Sequence, residues 1–459
     1  MEKREKLASR LGFLLISAGC AIGIGNVWRF PYITGKYGGA AFVLIYLFFL
    51  VIMGIPIMAM EFSVGRASQK SCASSFRVLE PKGTKWHWNG WVGMAGNYIL
   101  MMFYTTVAGW MLLYVYKTLH GDFSGLDSAA VGAEFDAVLA NPTIQIGWMV
   151  LAVLIGFGVC VIGLQKGVER ITKIMMVLLL AIMALLVVRS VTLPGAAAGL
   201  KFYLLPDFSK IIESGVFEAI YAAMGQAFFT LSIGIGSMAI FGSYIGKERS
   251  LLGESINITL LDTFVAFTAG LIIFPACFSF GVEANSGPGL IFVTLPNIFN
   301  SMAGGRVWGA LFFVFLSFAA LSTVVAVFEN IIAFAMDLWG WSRKKAVFAN
   351  IFIVIALSIP CALGFNLLSG IQPMGPGSTI MDIEDFIVSN NLLPLGSLVY
   401  LFFCTSRRGW GWKNFKAEVD EGKGVKFPSW VRLYVTYGLP VLVLLIFALG
   451  YGEKVFKLF

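Results

Sequence analysis

Long apolar runs separated by short polar stretches recur along the whole chain, with no change of character from one end to the other. Crossing ~30 Å of hydrocarbon takes about 20 such residues. Eleven runs meet that length, at roughly 11–36, 39–64, 88–117, 144–165, 169–191, 215–243, 256–281, 307–338, 346–366, 384–404 and 430–451. The pattern predicts an all-α polytopic membrane protein, a single transmembrane unit over 1–459 that leaves no stretch for a separate soluble domain.

Two of the runs are interrupted by glycines. Gly19–Asn26 reads GCAIGIGN and Thr230–Ser237 reads TLSIGIGS, both in the middle of a span. With spans 1–5 and 6–10 set side by side, the breaks fall in the first helix of each half. Five is odd, so the second half enters the membrane from the opposite side. The chain therefore reads as an inverted repeat, about 11–191 and about 215–404, with an extra span at about 430–451. Matching discontinuous helices point to a binding site at the midplane. Unwinding frees carbonyls for a cation and amides for an anion, and glycine permits the dihedrals and the close approach. Either motif alone would more simply be a helix-packing glycine pair; their recurrence at equivalent positions favours the site.

Composition agrees: 58% of the residues are hydrophobic and 13% charged, with mean hydropathy +0.84, far from soluble globular values. The net charge of +8 does not indicate nucleic acid as a partner. If the N-terminus is cytoplasmic, most of the Lys and Arg fall on the cytoplasmic side, including RKK at 343–345 and RRGWGWKNFK at 407–416. That is the positive-inside pattern of a protein embedded in a lipid bilayer, here a bacterial inner membrane, with the C-terminus outside. EKREK followed by an apolar run and SAGC imitates a lipoprotein signal, but Ser17 is small and polar and the run continues past Cys20, so an uncleaved first span is expected. The six cysteines have no metal-ligand spacing and read as small buried hydrophobes. His87 and His120 lie in loops. No His, Cys or paired-acid constellation suggests an enzyme, and the polar groups converge at mid-membrane instead of lining a continuous pore. The ionisable residues within spans, Arg29, Glu61, Asp262 and Glu329, with Asp385 near the end of span 10, are functional candidates by their cost in hydrocarbon. Glu61 is expected to accept hydrogen bonds from the amides of a broken helix. Glu329 has no evident partner.

GNVWRFPY at 25–32, GQAFFTLSIGIG at 225–236, KGVERITK at 166–173 and TLPNIF at 294–299 resemble the neurotransmitter:sodium symporter family, and the chain looks like a bacterial amino-acid transporter of the LeuT-fold type. The resemblance implies two sodium ions and no organic cofactor. The first would be held by the carbonyl of Ala21, the side chains of Asn26, Thr230 and Asp262, and the substrate's carboxylate. The second would be held by the carbonyls of Gly19, Ile22 and Ala319 and the hydroxyls of Ser322 and Thr323. The carboxylate of an L-amino acid would meet the amides of Ile24 and Gly25 and the hydroxyl of Tyr104. Its side chain would lie among Leu100, Phe229, Ser232, Ile235, Thr323 and Val327. Monoamine-carrying members have an aspartate where this chain has Gly23, which argues for an amino acid.

Ile235 and Val327 stand where a leucine-selective relative has larger residues, so a hydrophobic or aromatic substrate is implied. The resemblance also implies two gates, Arg29 with Asp385 and Arg4 with Asp337. Leu7 replaces the family's usual tryptophan at the second, and no proline between Lys166 and Val191 offers an exit through span 5. The Asp262 carboxylate replaces the charge that chloride supplies in many animal members, so chloride is not expected to be required. Because an unpaired carboxylate at mid-membrane is costly, proton uptake on Asp262 is expected when sodium leaves. The implied activity is sodium-coupled uptake by alternating access. Small neutral amino acids are the alternative within the family; a sodium-permeable channel or an amino-acid sensor are the alternatives from other classes. Nothing in the sequence sets an oligomeric state.

Overall fold

Nine of the apolar runs fold as continuous helices in the computed structural model, which describes residues 5–282 and 289–454. Span 2 is Ala40–Ser68, span 3 Trp88–His120, span 4 Pro142–Val161, span 5 Leu164–Val191 and span 7 Leu251–Ser279. Span 8 is Gly305–Trp339, span 9 Arg343–Leu363, span 10 Ile380–Thr405 and span 11 Ser429–Gly452. The other two are the glycine-interrupted runs. Span 1 consists of Arg10–Ala21 and Gly25–Lys36, bent by 56°. Span 6 consists of Val216–Thr230 and Ser237–Tyr244, joined by a non-helical stretch over 231–236. Span 8 is the most enclosed of the continuous helices and packs along span 3, whereas span 5 turns most of its surface outward.

Prolines shape several helices. A wide turn of π type immediately precedes Pro31 (Gly25–Arg29), Pro56 (Leu50–Gly54), Pro296 (Leu290–Thr294), Pro394 (Ile387–Leu392) and Pro440 (Tyr434–Gly438). Proline lacks an N–H, and its ring crowds the carbonyl four residues back; one extra residue in the turn relieves both problems. Pro275 and Pro360 lie inside their helices without such a turn.

Glycines join span 2 to the second half of span 6 at backbone distance. A Cβ on Gly65 would sit 1.8 Å from the Ala239 carbonyl oxygen, and one on Gly242 would sit 2.4 Å from that of Phe62. At the end of the molecule where span 1 begins, Glu169 of span 5 accepts hydrogen bonds from the backbone N–H groups of Ala8 (2.7 Å) and Ser9 (3.1 Å) and from the Ser9 hydroxyl (2.9 Å). The helix dipole of span 1 thus starts against a carboxylate. At the same end Arg66, fully buried, donates to Glu418 and tethers the short helix Trp412–Val419 to span 2. Nearby, Lys247 donates to Glu421 at 2.9 Å. That hydrogen bond holds the exposed Glu421 carboxyl below its usual range.

Glu329 does have partners. Tyr244 donates to its Oε1 at 2.7 Å, and Arg343 donates from Nη1 to Oε2 at 2.6 Å and from Nη2 to Oε1 at 2.9 Å. A fully buried carboxylate is thereby paired bidentately, the arrangement that offsets desolvation best.

Candidate functional site

The two breaks are built differently. In span 6, Ser232, Gly234 and Gly236 adopt φ of +50°, +102° and +80°, so here the glycines supply left-handed backbone. Glu61 of span 2 accepts from the freed N–H groups of Gly234 and Met238, both at 2.8 Å. In span 1 no residue of the break has positive φ among the described residues. Its glycines act by leaving space. A Cβ on Gly23 would lie 2.3 Å from the Tyr104 hydroxyl oxygen, and one on Gly25 would lie 2.8 Å from the Phe229 ring. The expectation that glycine is needed for its dihedrals therefore applies to the second break and not to the first.

Between the breaks lies a small cavity. Span 1 contributes Cys20, Ala21, Gly23 and Gly25, and span 3 contributes Leu100 and Tyr104. Phe229, Ser232 and Ile235 come from span 6, and Thr323 from span 8. Val388 and Leu393 of span 10 complete the wall; sequence reasoning missed both, although they follow Asp385 by one to two turns. Val327 is fully buried but does not line the cavity. The Ile24 N–H donates to the Tyr104 hydroxyl at 3.0 Å, so one amide of the break meets a side chain that lines the same space. The lining is apolar with a few convergent polar groups, the usual composition of a small-molecule site.

Two clusters of oxygens flank the cavity. In the first, Asn26 donates through Nδ2 to Asp262 Oδ1 (2.8 Å), Thr230 Oγ1 donates to Asp262 Oδ2 (3.0 Å), and Asn26 Oδ1 accepts from the Gly23 N–H (3.2 Å). All three side chains are fully buried. In the second, Thr323 Oγ1 lies 3.2 Å from the carbonyl of Gly19 and 3.3 Å from that of Ile22, and Ser322 Oγ lies 2.9 Å from Ala319 and 3.4 Å from Ile22. Most of these separations are long for O–H···O hydrogen bonds, which cluster near 2.7–2.8 Å. They approach the ~3.4 Å edge expected between oxygens surrounding a hard cation at about 2.4 Å. The donor set of this second cluster, all oxygen, fits such an ion, whereas in the first Asn26 turns its nitrogen to Asp262.

Of the expected gate residues, Arg29 places its guanidinium 4.5 Å from the centre of the Phe229 ring. Asp385 accepts from the Ser389 hydroxyl at 2.7 Å, and no ion pair within 4 Å joins it to Arg29. Asp337 accepts from the Ser71 N–H (2.7 Å) and from Lys70 (3.3 Å). Arg4 lies outside the described residues.

The sequence model of the sodium:neurotransmitter symporter family matches residues 4–126 and 140–454. The chain belongs to this family. The symporter is 38% identical over 406 residues, 88% of each chain, to an uncharacterised sodium-dependent transporter of Bacillus subtilis (strain 168). It is 32% identical to another uncharacterised sodium-dependent transporter, from Haemophilus influenzae, over 97% of this chain and 98% of that one. The crystal structure of MhsT in complex with L-phenylalanine matches with a TM-score of 0.87 and 38% identity, covering 98% of this chain and 100% of that one. The symporter accordingly has the LeuT fold, a five-plus-five inverted repeat with an eleventh span and breaks in spans 1 and 6. It is a sodium-dependent membrane transporter and not an enzyme.

Proposed function

We propose that this symporter couples inward flow of sodium to uptake of hydrophobic and aromatic L-amino acids by alternating access, without a requirement for chloride. One observation carries the reading: an apolar cavity lies between two helix breaks, with a cluster of oxygens on either side. The Ile24 amide and the Tyr104 hydroxyl, hydrogen-bonded to each other, exchange that bond for a substrate carboxylate, and Gly23 leaves no counter-charge for an amine lacking one. The complex of MhsT with L-phenylalanine, a structural relative at 38% identity, supports an amino acid of aromatic size. Apolar burial at about 25 cal/mol per Å² then favours Phe, Tyr, Trp or Leu over alanine and glycine.

The first sodium sits at Ala21, Asn26, Thr230 and Asp262, sharing the substrate carboxylate, and the second at Gly19, Ile22, Ala319, Ser322 and Thr323. Sodium at the second site stabilises the outward-open state. Substrate and the first sodium then bind together, Arg29 and Asp385 close the outer side, and displacement of the broken helices opens the inner side. At 100 mV each ion supplies about 2.3 kcal/mol, and a tenfold gradient adds about 1.4 kcal/mol. The protein resides in the bacterial inner membrane with its N-terminus in the cytoplasm.

Equilibrium binding of an amino-acid panel to purified protein, with sodium and with potassium in its place, tests the reading. Aromatic residues and leucine are expected to bind only in sodium. Tighter binding of alanine or glycine than of every aromatic refutes the substrate class, and equal binding in potassium refutes the coupling.

A further inference from the structure

The carbonyls freed by the break in span 6 are held from beside the cavity by two buried amides. Asn97 donates through Nδ2 to the carbonyl of Ile235 at 2.9 Å and to that of Gly93 at 2.7 Å. Asn330 of span 8 donates through Nδ2 to Asn97 Oδ1 at 2.9 Å, and the same nitrogen lies 3.5 Å from the carbonyl of Gly236. Both asparagines are fully buried and neither lines the cavity. Together with Glu61, which takes the amides on the other side, they satisfy backbone groups that would otherwise be stranded in a dry interior.

What distinguishes this pair from ordinary satisfaction of buried groups is its target. Residues 93, 97, 100 and 104 share one face of span 3 at helical spacing. The surface that docks the break therefore runs directly into Leu100 and Tyr104, which line the cavity. Glycines let span 6 approach it: a Cβ on Gly96 would lie 2.9 Å from Ile235 Cγ2, and one on Gly93 would lie 3.2 Å from the Ile235 carbonyl oxygen. Ile235 is thus fixed twice, its side chain against Gly96 and its carbonyl by Asn97, while its apolar atoms form part of the cavity wall. Asn330 Oδ1 is buried without a hydrogen-bond partner among the described residues, so this side chain engages its neighbours through its donor alone.

We infer that Asn97, oriented by Asn330, is a positioning residue that sets the depth of the cavity at Ile235 and thereby the size of amino-acid side chain accepted. This rests on the amino-acid reading of the cavity. Truncating Asn97 removes the amide donor from the Ile235 carbonyl, leaving the Cys72 thiol at 3.7 Å as the side-chain donor among the described residues. It also opens a void into which the unwound segment relaxes. The wall recedes, and large side chains gain over small ones.

The test is competition binding of phenylalanine, tryptophan and leucine at saturating sodium, on full-length parent, Asn97→Ala and Asn330→Ala. The phenylalanine-to-leucine affinity ratio is expected to rise about tenfold in Asn97→Ala, the scale that one methylene commands in an apolar pocket. Asn330→Ala, acting through Asn97, is expected to show a smaller change of the same sign. A ratio taken on one sample is unaffected by how much of that sample is folded, so a purely structural role leaves it unchanged. If Asn97→Ala does not fold, Asn330→Ala decides. Equal loss of affinity for all three amino acids, or no change, overturns the inference while leaving the substrate reading standing. A parent that binds none of them refutes the substrate reading and the inference together.

Discussion

Replacing Asp262 by asparagine removes a charge while keeping nearly the same shape, which makes it the sharpest probe of the first cation site. The carboxylate is fully buried, and both its oxygens are engaged, with Asn26 at 2.8 Å and Thr230 at 3.0 Å. A unit charge about 4 Å from a bound cation contributes about 4 kcal/mol at an effective dielectric constant of 20. Losing it should weaken sodium binding by roughly 10³-fold. A mobile anion is the natural substitute, and the surroundings retain hydrogen-bonding capacity for one. The Tyr46 hydroxyl is buried with no hydrogen-bond partner among the described residues, and Gln226 Nε2 has given only one of its two N–H groups to the Gly25 carbonyl. The parent should therefore transport equally in chloride and in gluconate. Asp262→Asn should need far more sodium and regain part of its activity in chloride. Sodium-titrated uptake into proteoliposomes in the two anions measures both effects. Strong chloride dependence in the parent would refute the reasoning, as would an asparagine variant with full sodium affinity in gluconate.

Asp385→Ala should reduce uptake severely while shifting stability by less than about 0.5 kcal/mol, because Asp385 contacts only Ser389 among the polar partners described; normal uptake would remove it from the gate. Arg343→Ala leaves the Glu329 carboxylate buried beside Tyr244 alone and should cost about 3–5 kcal/mol. That loss would appear as a large fall in melting temperature, recovered in part when Glu329→Gln is added. An unchanged melting temperature would mean that the pair contributes nothing. Gly23→Ala places a Cβ 2.3 Å from the Tyr104 hydroxyl oxygen and 2.6 Å from Thr323 Oγ1. Amino-acid affinity should fall at least about tenfold in a protein that still elutes as a folded species; retention of parental affinity would show that the break yields more readily than its packing implies.

The spans were legible because hydrocarbon demands length and apolarity, and both are visible in any window of the chain. The broken helices were legible as well, since the paired IGIG motifs stand out inside runs that would otherwise be uniformly helical. Short connecting helices such as Cys72–Leu79 and Trp412–Val419 were not, because eight residues carry too little periodicity to separate from a loop. The partner of Glu329 was hidden for a different reason. Arg343 opens the next helix beyond the Gly340 turn, and only the folding-back of span 9 on span 8 brings the two together. Val388 and Leu393 reach the cavity from either end of the wide turn Ile387–Leu392, where simple helical spacing does not hold. Val327, placed in the wall by resemblance, is enclosed behind it within the regular helix Gly305–Trp339.

The glycine seam at Gly65 and Gly242 bears on how motion in this protein can be observed. Ser237–Tyr244 has eight residues and is about 12 Å long, too short to keep a direction of its own. With its backbone pressed against span 2, it takes its stiffness from that longer helix, as a splint lends stiffness to a finger. A probe at Gln69, half-buried at the end of span 2, should then report the displacement of Ser237–Tyr244 without disturbing any residue of the cavity. Enlarging Gly65 should uncouple the two, leaving that probe still while the transport cycle stalls.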